Sequence, residues 1–216
     1  GKGANQAVAV SRLGADVMFI TKVGDDIFGR EALKILSKET IDIKHVYVDK
    51  DTHSGVALIM VNSNGENIIS VAPGANNNLL ISDIDFVKEF KEAELILLQL
   101  EIPISTVKKV IEKARANNQK VILNPAPACP IEDELLNGLF IITPNEIEAS
   151  MLTGISINDE KSAFDASSVF LKKGVKNVII TLGNKGAFLR SDLHSKLIPP
   201  FRVEAKDSTA AGDVFN

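Results

Sequence analysis

Residues 95–124, LILLQLEIPISTVKKVIEKARANNQKVILN, contain two short apolar runs with a helical pattern between them. The runs Leu95–Leu100 and Val121–Asn124 are apolar at successive positions, which is typical of strands buried on both faces of a parallel sheet. The segment Ser105–Ala116 begins at a serine suited to cap a helix and carries apolar residues at helical spacing. The order of strand, helix and strand predicts a βαβ unit.

The same alternation continues along the chain in both directions. Further strands are predicted at Val17–Val23, Phe140–Thr143 and Asn177–Leu182, and further helices at Ala4–Leu13, Ile27–Ser37 and Asp159–Lys173. This repeated alternation predicts an α/β fold in which helices flank a doubly wound, mostly parallel sheet.

Residues 45–72 break the alternation, because three extended runs follow one another without a helix between them. These runs are Val46–Val48, Gly55–Val61 and Asn67–Val71. The sequence of Asn62–Gly65 suits a tight hairpin turn, and both faces of the flanking runs are apolar. The segment is therefore either an edge hairpin packed on the main domain or part of a small β-sheet lid whose outer face meets another subunit. We assign 1–44 and 73–216 to the α/β core and 45–72 to the lid segment.

The composition argues against a nucleic-acid-binding, membrane-spanning or disulfide-bonded protein. The chain has 216 residues, 24 Lys and Arg against 28 Asp and Glu, and a formal net charge of −4. This mild acidity, without a basic stripe or any Trp, argues against binding to nucleic acid. The apolar runs are too short to span a membrane. One cysteine, Cys129, excludes an internal disulfide and indicates a reducing compartment, so we expect a cytoplasmic protein.

The first candidate motif is Gly1-Lys2-Gly3-Ala4-Asn5-Gln6-Ala7. Its glycines permit close approach of the backbone, and the amides at the start of the following helix suit a polar ligand. Lys2 and Asn5 could add hydrogen bonds to hydroxyl groups. The alternative is a frayed terminus before an ordinary amphipathic helix.

The second candidate motif, Asp207–Asp213, consists of small residues that lead into a helix. The amides of Ala211, Gly212 and Asp213 would point outward together and form an anion site. A carboxylate at such a site is suited to deprotonate a hydroxyl that attacks a phosphoryl group. The alternative is a capping Asp in a tight turn.

Two further motifs follow predicted strands. Asn145 and Glu148 lie on one helical face, where Glu148 could hold Mg²⁺ through water or could be a solvated residue of an ordinary cap. Residues Thr181–Gly186 could cradle nucleotide phosphates or form a turn between two strands.

The strand ends give these motifs a common location. Glu101, Asn124, Asn145 and Thr181 all follow the carboxyl ends of predicted parallel strands. Ligands of open α/β sheets bind at that edge, so one crevice could contain all four residues.

The two terminal motifs, Gly1–Ala9 and Asp207–Asn216, resemble those of the ribokinase family of carbohydrate kinases, also called the phosphofructokinase B family. Other family motifs follow in the family order: Val23–Gly29, Gly65–Asn67, Pro73–Asn76, Gln99–Glu101, Asn124–Pro127 and Thr143–Glu146. The resemblance covers essentially the whole chain, and the order of so many motifs makes it specific. Lys2, Asn5, Glu101 and the Ala210–Asp213 form of the loop are most similar to ribose-phosphorylating members.

The resemblance implies transfer of a phosphoryl group from ATP to the 5-hydroxyl of D-ribose, with Asp213 as the catalytic base. The sugar would be held by Gly1, Lys2, Gly3, Ala4, Asn5, Glu101 and Asp213. ATP would be contacted by Asn145, Thr181, Leu182, Gly183, Asn184, Lys185, Gly186 and Gly212. Mg²⁺ would be held indirectly by Glu148, and an activating monovalent cation, usually K⁺, by Asp207 and Thr209. Residues 45–72 would form a β lid that covers the sugar and pairs two subunits in a homodimer.

The chain departs from the family pattern at both ends. Family members carry an acidic sugar ligand and further lid strands before the position of Gly1. After the position of Asn216 they continue with the helix behind the anion hole, an adenine pocket and more cation ligands. We therefore expect the parent enzyme to be active and the 216 residues alone to be inactive. The reason is that the helix that aims the amides of the anion site would lack residues from which to form.

Two other functions stay open at this point. The first is a kinase of the same family that acts on another sugar or nucleoside, such as fructose, 2-keto-3-deoxygluconate or deoxyribose. Lys2, Asn5 and Glu101 favour ribose over these. The second is a non-catalytic sugar- or nucleotide-binding protein, against which Asp213 argues, because a binding protein needs no base beside an anion site.

Overall fold

The structure is a computed structural model that describes residues 1–61, 67–203 and 209–216. The chain divides into two compact units. The first unit comprises residues 1–87 and 101–106, and the second comprises 88–100 and 107–216. The turn predicted at Asn62–Gly65 lies outside the described residues. Within those residues, no helix is long and apolar enough to cross a membrane.

In its described residues, the first unit contains three α-helices and six short strands. In chain order they are α1 (Lys2–Arg12), β1 (Val17–Met18), β2 (Thr21–Gly24), α2 (Ile27–Leu36), β3 (Ile41–Asp42), β4 (Val46–Asp49), β5 (Val56–Val61), β6 (Asn67–Ala72) and α3 (Ile81–Asp85). The strands form three two-stranded sheets: β1 with β3 and β2 with β4 in parallel, and β5 with β6 antiparallel. Ala7, Leu36 and Ile41 form a small buried core beneath α1 and α2.

Two predictions for this unit are corrected by the strand pairing. The run Val17–Val23 is not one strand of the main sheet, because the chain changes partner within it. Phe19 N–H donates to the Asp42 carbonyl at 3.0 Å, whereas Thr21 N–H donates to the His45 carbonyl at 3.3 Å. The run Val46–Val48 belongs to β4 and pairs with β2, so the hairpin of β5 and β6 forms without it.

The second unit contains the main sheet. Its elements are β7 (Leu95–Leu98), α4 (Ile104–Ala116, whose first turn lies in the first unit), β8 (Lys120–Leu123), α5 (Asp133–Leu136), β9 (Ile141–Ile142), α6 (Glu146–Thr153), α7 (Glu160–Lys172), β10 (Asn177–Thr181), β11 (Ala187–Ser191), β12 (Ser195–Ile198) and α8 (Ala211–Phe215). The sheet order is β12-β11-β10-β9-β8-β7. Strands β7 to β10 are parallel, and β11 runs antiparallel to both of its neighbours, β10 and β12. The predicted α/β class, with a mostly parallel sheet between helices, is confirmed.

The core of this unit follows the predicted apolar patterns. Helix α4 buries Val107, Ile111 and Ala114, as its helical spacing predicts. Helix α7 buries Phe170 completely and packs against β10 and β11. The side chain of Asp159 caps its first turn, and the chain leaves it through Gly174 at a positive φ of 90°. Local capping chemistry therefore sets both ends of this helix where the sequence predicts them.

Candidate active site

The start of α1 and Glu101 meet in the first unit, although they are far apart in sequence. Lys2 N–H donates to Glu101 Oε2 at 2.7 Å. A Cβ atom on Gly1 would lie 2.7 Å from the same oxygen, so a larger residue at this position would require the end of the Glu101 side chain to shift. Because the first amides of a helix carry partial positive charge, the Glu101 carboxylate is stabilised there. The structure thus joins two of the predicted sugar-binding elements.

The remaining residues of the N-terminal motif form the first turn of α1. Lys2, Gly3 and Ala4 are half-buried, and Asn5 is exposed. The helix is continuous from Lys2, with Asn5 N–H donating to the Gly1 carbonyl at 3.1 Å. The polar side chains of this turn are therefore presented from a regular helix rather than from a frayed segment.

Three of the predicted residues lie together at the carboxyl ends of β8, β9 and β10 in the second unit. Asn145 and Thr181 form a parallel bridge, in which Thr181 N–H donates to the Pro144 carbonyl at 3.0 Å. Asn124 Nδ2 donates to the Thr143 carbonyl at 3.0 Å. Glu101 follows β7, but it belongs to the first unit.

Asn145 and Glu148 cap the start of α6 reciprocally. Asn145 Oδ1 accepts from Glu148 N–H at 2.8 Å, and Glu148 Oε2 accepts from Asn145 N–H at 2.9 Å. Glu148 is only 6% exposed. The pair is therefore the cap that one interpretation expected, but its carboxylate is buried rather than solvated.

Residues Thr181–Gly186 connect β10 to β11. Gly183–Lys185 form a short 3-10 helix, and Leu182 N–H donates to the Gly186 carbonyl at 2.8 Å. This geometry is that of a turn between two strands. Lys185 Nζ lies 3.3 Å from the Asn158 carbonyl and 3.8 Å from Glu146 Oε1, and so ties the turn to the region around α6.

Asp213 lies in the first turn of α8 and is only 7% exposed, whereas Ala211 and Gly212 beside it are exposed. Ala210 precedes the helix at a left-handed φ of 61°, and its carbonyl accepts from Val214 N–H at 2.9 Å. The expectation that this segment has too few residues to form a helix is wrong. A short helix forms at Ala211–Phe215, and at its end Asn216 Nδ2 donates to the Gly212 carbonyl at 2.8 Å.

Comparison with known proteins identifies the family. The model of the pfkB family carbohydrate kinases matches residues 1–216. The chain belongs to this family. It is therefore a carbohydrate kinase, and the family resemblance of its sequence motifs is confirmed.

Relatives of this pfkB-family chain, in sequence and in structure, are named as ribokinases or as a deoxyribokinase. It is 45% identical to the ribokinase of Haemophilus influenzae, an alignment that covers 100% of this chain and 71% of that protein. It is 41% identical to the deoxyribokinase of Salmonella typhi, with 100% and 71% covered. Its structure is similar to that of Arabidopsis thaliana ribokinase complexed with ribose and ATP, with a TM-score of 0.92 and 31% sequence identity. That match covers 100% of this chain and 71% of the Arabidopsis chain.

The donor groups of this pfkB-family chain fit a Mg²⁺ ion that is held mainly by water and phosphate. In the described part of the chain, no group of three or more His, Cys, Asp or Glu side chains could hold a metal by itself. Mg²⁺ commonly keeps several waters and uses one or two carboxylates with substrate phosphates, and the buried carboxylate of Glu148 suits that role. Of the two predicted K⁺ ligands, Thr209 is exposed, and Asp207 lies outside the described residues.

Sequence reasoning missed two contacts that secure this site. The Thr143 hydroxyl donates to Asn216 Oδ1, which links α8 to the end of β9. Glu146 approaches Lys185, which links α6 to the β10–β11 turn. Both residue pairs fall inside the motifs Thr143–Glu146, Thr181–Gly186 and Asp207–Asn216, but only the tertiary fold brings them together.

Proposed function

We propose that this carbohydrate kinase transfers the γ-phosphoryl group of ATP to the 5-hydroxyl of D-ribose, giving ribose 5-phosphate and ADP. The observation that carries the proposal is the buried Asp213 in the first turn of α8, beside the exposed Ala211 and Gly212. Relatives named ribokinase, together with the ribose and ATP complex of the Arabidopsis protein, support ribose as the acceptor.

In the proposed reaction, Asp213 accepts the proton of the attacking hydroxyl. The hydroxyl oxygen bonds to the γ-phosphorus while the bond from that phosphorus to the bridging oxygen of ADP breaks. The backbone amides of Ala211, Gly212 and Asp213 donate hydrogen bonds to the phosphoryl oxygens, where negative charge develops.

The sugar is assigned to the start of α1 and Glu101. A carboxylate has about four acceptor positions, and the bond to Lys2 N–H uses one position of Glu101. The remaining positions can accept from sugar hydroxyls, while the side chains of Lys2 and Asn5 supply donors. Gly3 and Ala4 keep this turn small enough for a sugar to approach the backbone.

ATP is assigned to the edge formed by Asn145, residues 181–186 and Gly212. Glu148 is the residue of this edge that would orient hydrated Mg²⁺, which neutralises phosphate charge when bound. Asp207 and Thr209 are the proposed ligands of K⁺. A cytoplasmic location is part of the same proposal, because ATP and sugar phosphates are handled there.

The hairpin of β5 and β6 is proposed as the lid and as the surface that pairs two copies in a homodimer. Leu58 and Met60 project from one face and are 66% and 60% exposed, while Val71 projects from the other and is 55% exposed. Such apolar exposure on both faces of a small sheet is typical of an interaction surface. The double variant L58K/M60K should be monomeric by light scattering, whereas the wild type should be dimeric. A wild-type monomer would refute the dimer.

A substrate panel tests the proposed acceptor. ADP release by the full-length protein is measured with ribose, deoxyribose, fructose and 2-keto-3-deoxygluconate. We expect the highest kcat/KM with ribose. The similarity to a deoxyribokinase makes deoxyribose the second candidate acceptor. If kcat/KM is higher with deoxyribose than with ribose, deoxyribose replaces ribose as the proposed acceptor.

A further inference from the structure

A hydrogen-bond network on Asp26 joins the start of α2 to Ser54, which lies two residues before β5. Asp26 Oδ1 accepts from Gly29 N–H at 2.8 Å, which caps the helix. Its other oxygen, Oδ2, accepts from Ser54 N–H at 2.7 Å. A helix cap needs only one acceptor. The second oxygen of Asp26 therefore serves a contact outside its own helix.

Ser54 doubles this link through its side chain. It is buried, and its hydroxyl donates to Asp26 Oδ1 at 2.7 Å while accepting from Gly24 N–H at 2.9 Å. The Gly24 carbonyl lies 3.5 Å from the same hydroxyl. The Ser54 hydroxyl has one hydrogen to donate, and Asp26 Oδ1 is both nearer and charged, whereas the Gly24 carbonyl is neutral. The bond to Asp26 is therefore the stronger of the two.

The two ends of the β5–β6 hairpin are joined at the same place. Ala75 N–H donates to the His53 carbonyl at 2.8 Å, which connects the residues before β5 to those after β6. Gly74 has a φ of +51°, and a Cβ atom there would lie 2.4 Å from the His53 carbonyl. Holding Ser54 therefore holds both ends of the hairpin.

The carboxylate is charged at neutral pH. Hydrogen bonds from Gly29 and Ser54 lower the pKa of Asp26 to about 2. Charge-assisted hydrogen bonds are roughly twice as strong as neutral ones, so Asp serves this junction better than Asn.

We propose that Asp26 is a positioning residue for sugar binding, which acts through Ser54 to fix the root of the hairpin. This inference rests on the proposed function, in which the hairpin covers the sugar. Loss of the contact leaves the phosphoryl-transfer groups unchanged and makes the hairpin harder to hold over bound sugar. The effect falls on the KM for the sugar rather than on kcat or the KM for ATP.

Two variants separate this role from helix capping. In Asp26→Asn, the remaining carbonyl oxygen can still cap α2, while the amide nitrogen faces Ser54 N–H, donor against donor. Ser54→Ala removes only the hydroxyl bonds. The matched control is Asp159→Asn, because Asp159 caps α7 through Ser162 within its own helix.

The experiment measures KM and kcat for ribose and the KM for ATP in the full-length protein, with amide hydrogen exchange at Ser54 and Ala75. We expect Asp26→Asn and Ser54→Ala to raise the ribose KM by about ten-fold, with kcat within about three-fold and the ATP KM unchanged. Exchange at both amides should accelerate about ten-fold in these variants, and Asp159→Asn should change none of these values.

If the wild type is active and the ribose KM of both variants stays within two-fold of the wild-type value, the inference is overturned. An equal rise of the ribose KM in Asp159→Asn would overturn it as well. If Asp26→Asn fails to fold, Ser54→Ala decides by the same criteria. A wild type without ribose-dependent turnover would refute the proposed function instead. The exchange rates would then still show whether Asp26 fixes the hairpin, and unchanged rates would refute that as well.

Discussion

Replacing Asn145 by alanine removes the side-chain oxygen that caps α6. That oxygen accepts from Glu148 N–H at 2.8 Å, while the reciprocal bond from Asn145 N–H to Glu148 depends on the backbone and remains possible. Loss of one such cap costs about 1 kcal/mol. We expect the Asn145→Ala variant to unfold a few degrees below the wild type.

The same side chain is proposed to contact ATP, and this role predicts a second, separable effect. Loss of a hydrogen bond to a charged phosphate costs about 1.5–3 kcal/mol, which corresponds to a rise of about ten-fold or more in the KM for ATP. Asn145→Asp keeps the cap, since Asp caps helices as well as Asn does. It also places a second carboxylate near Glu148 and the phosphates, so it should raise the KM for ATP. Any loss of stability would then come from repulsion between the two carboxylates rather than from loss of the cap.

The chain supplies a matched control in Asp159, which caps α7 with the same reciprocal arrangement. Asp159→Ala should lower the melting temperature and leave the KM for ATP unchanged. The assay pairs thermal unfolding with ADP release at varied ATP, in the full-length protein. If Asn145→Ala and Asp159→Ala both lower stability and neither changes the KM for ATP, Asn145 is only a helix cap and its assignment to the nucleotide is wrong.

Three further predictions address other parts of the molecule. Glu148→Gln keeps an oxygen that can cap α6 but loses the charge, so the Mg²⁺ concentration for half-maximal rate should rise about ten-fold; an unchanged Mg²⁺ titration would contradict its assignment. The pKa of Asp26 is lowered from 3.8 to about 2, so its ionised carboxylate stabilises the folded state above pH 4. This stabilisation is lost as the pH falls towards 2. The difference in urea midpoint between wild type and Asp26→Asn should therefore shrink over that range, and a constant difference would refute this. Phe170→Ala should cost about 3–5 kcal/mol in urea unfolding, because the side chain is fully buried; a loss below about 1 kcal/mol would contradict its place in the core.

The sequence predicts elements best where local signals specify both their type and their ends. Helix α7 lies where it was predicted because Asp159 caps its first turn and Gly174 ends it. The run Val17–Val23 is not the single strand that its pattern predicts, because an apolar pattern specifies extended backbone but not a pairing partner. The partners at Asp42 and His45 lie beyond any local window.

The candidate site could be predicted where its residues lie at the end of a strand or at the start of a helix. Asn145 and Glu148 were placed on one helical face from their spacing, and they do cap the same helix. A shared sugar-binding role for Lys2 and Glu101 was implied only by family resemblance. Their direct hydrogen bond was not predicted, because no local pattern relates residues so distant in sequence. The contact between Asp26 and Ser54 was not predicted, since neither residue type is unusual at its position and only the tertiary fold brings them together.

The central claim is that Asp213 is the base of a ribose kinase, and the Asp213→Asn variant tests it most directly. ADP release with ribose and sugar binding by calorimetry are measured in the full-length protein, with the exposed Asp165→Asn as the control. We predict that kcat falls by about 10²–10⁴-fold in Asp213→Asn while sugar affinity is retained and the control is unchanged. A kcat within three-fold of the wild type in Asp213→Asn would contradict the claim.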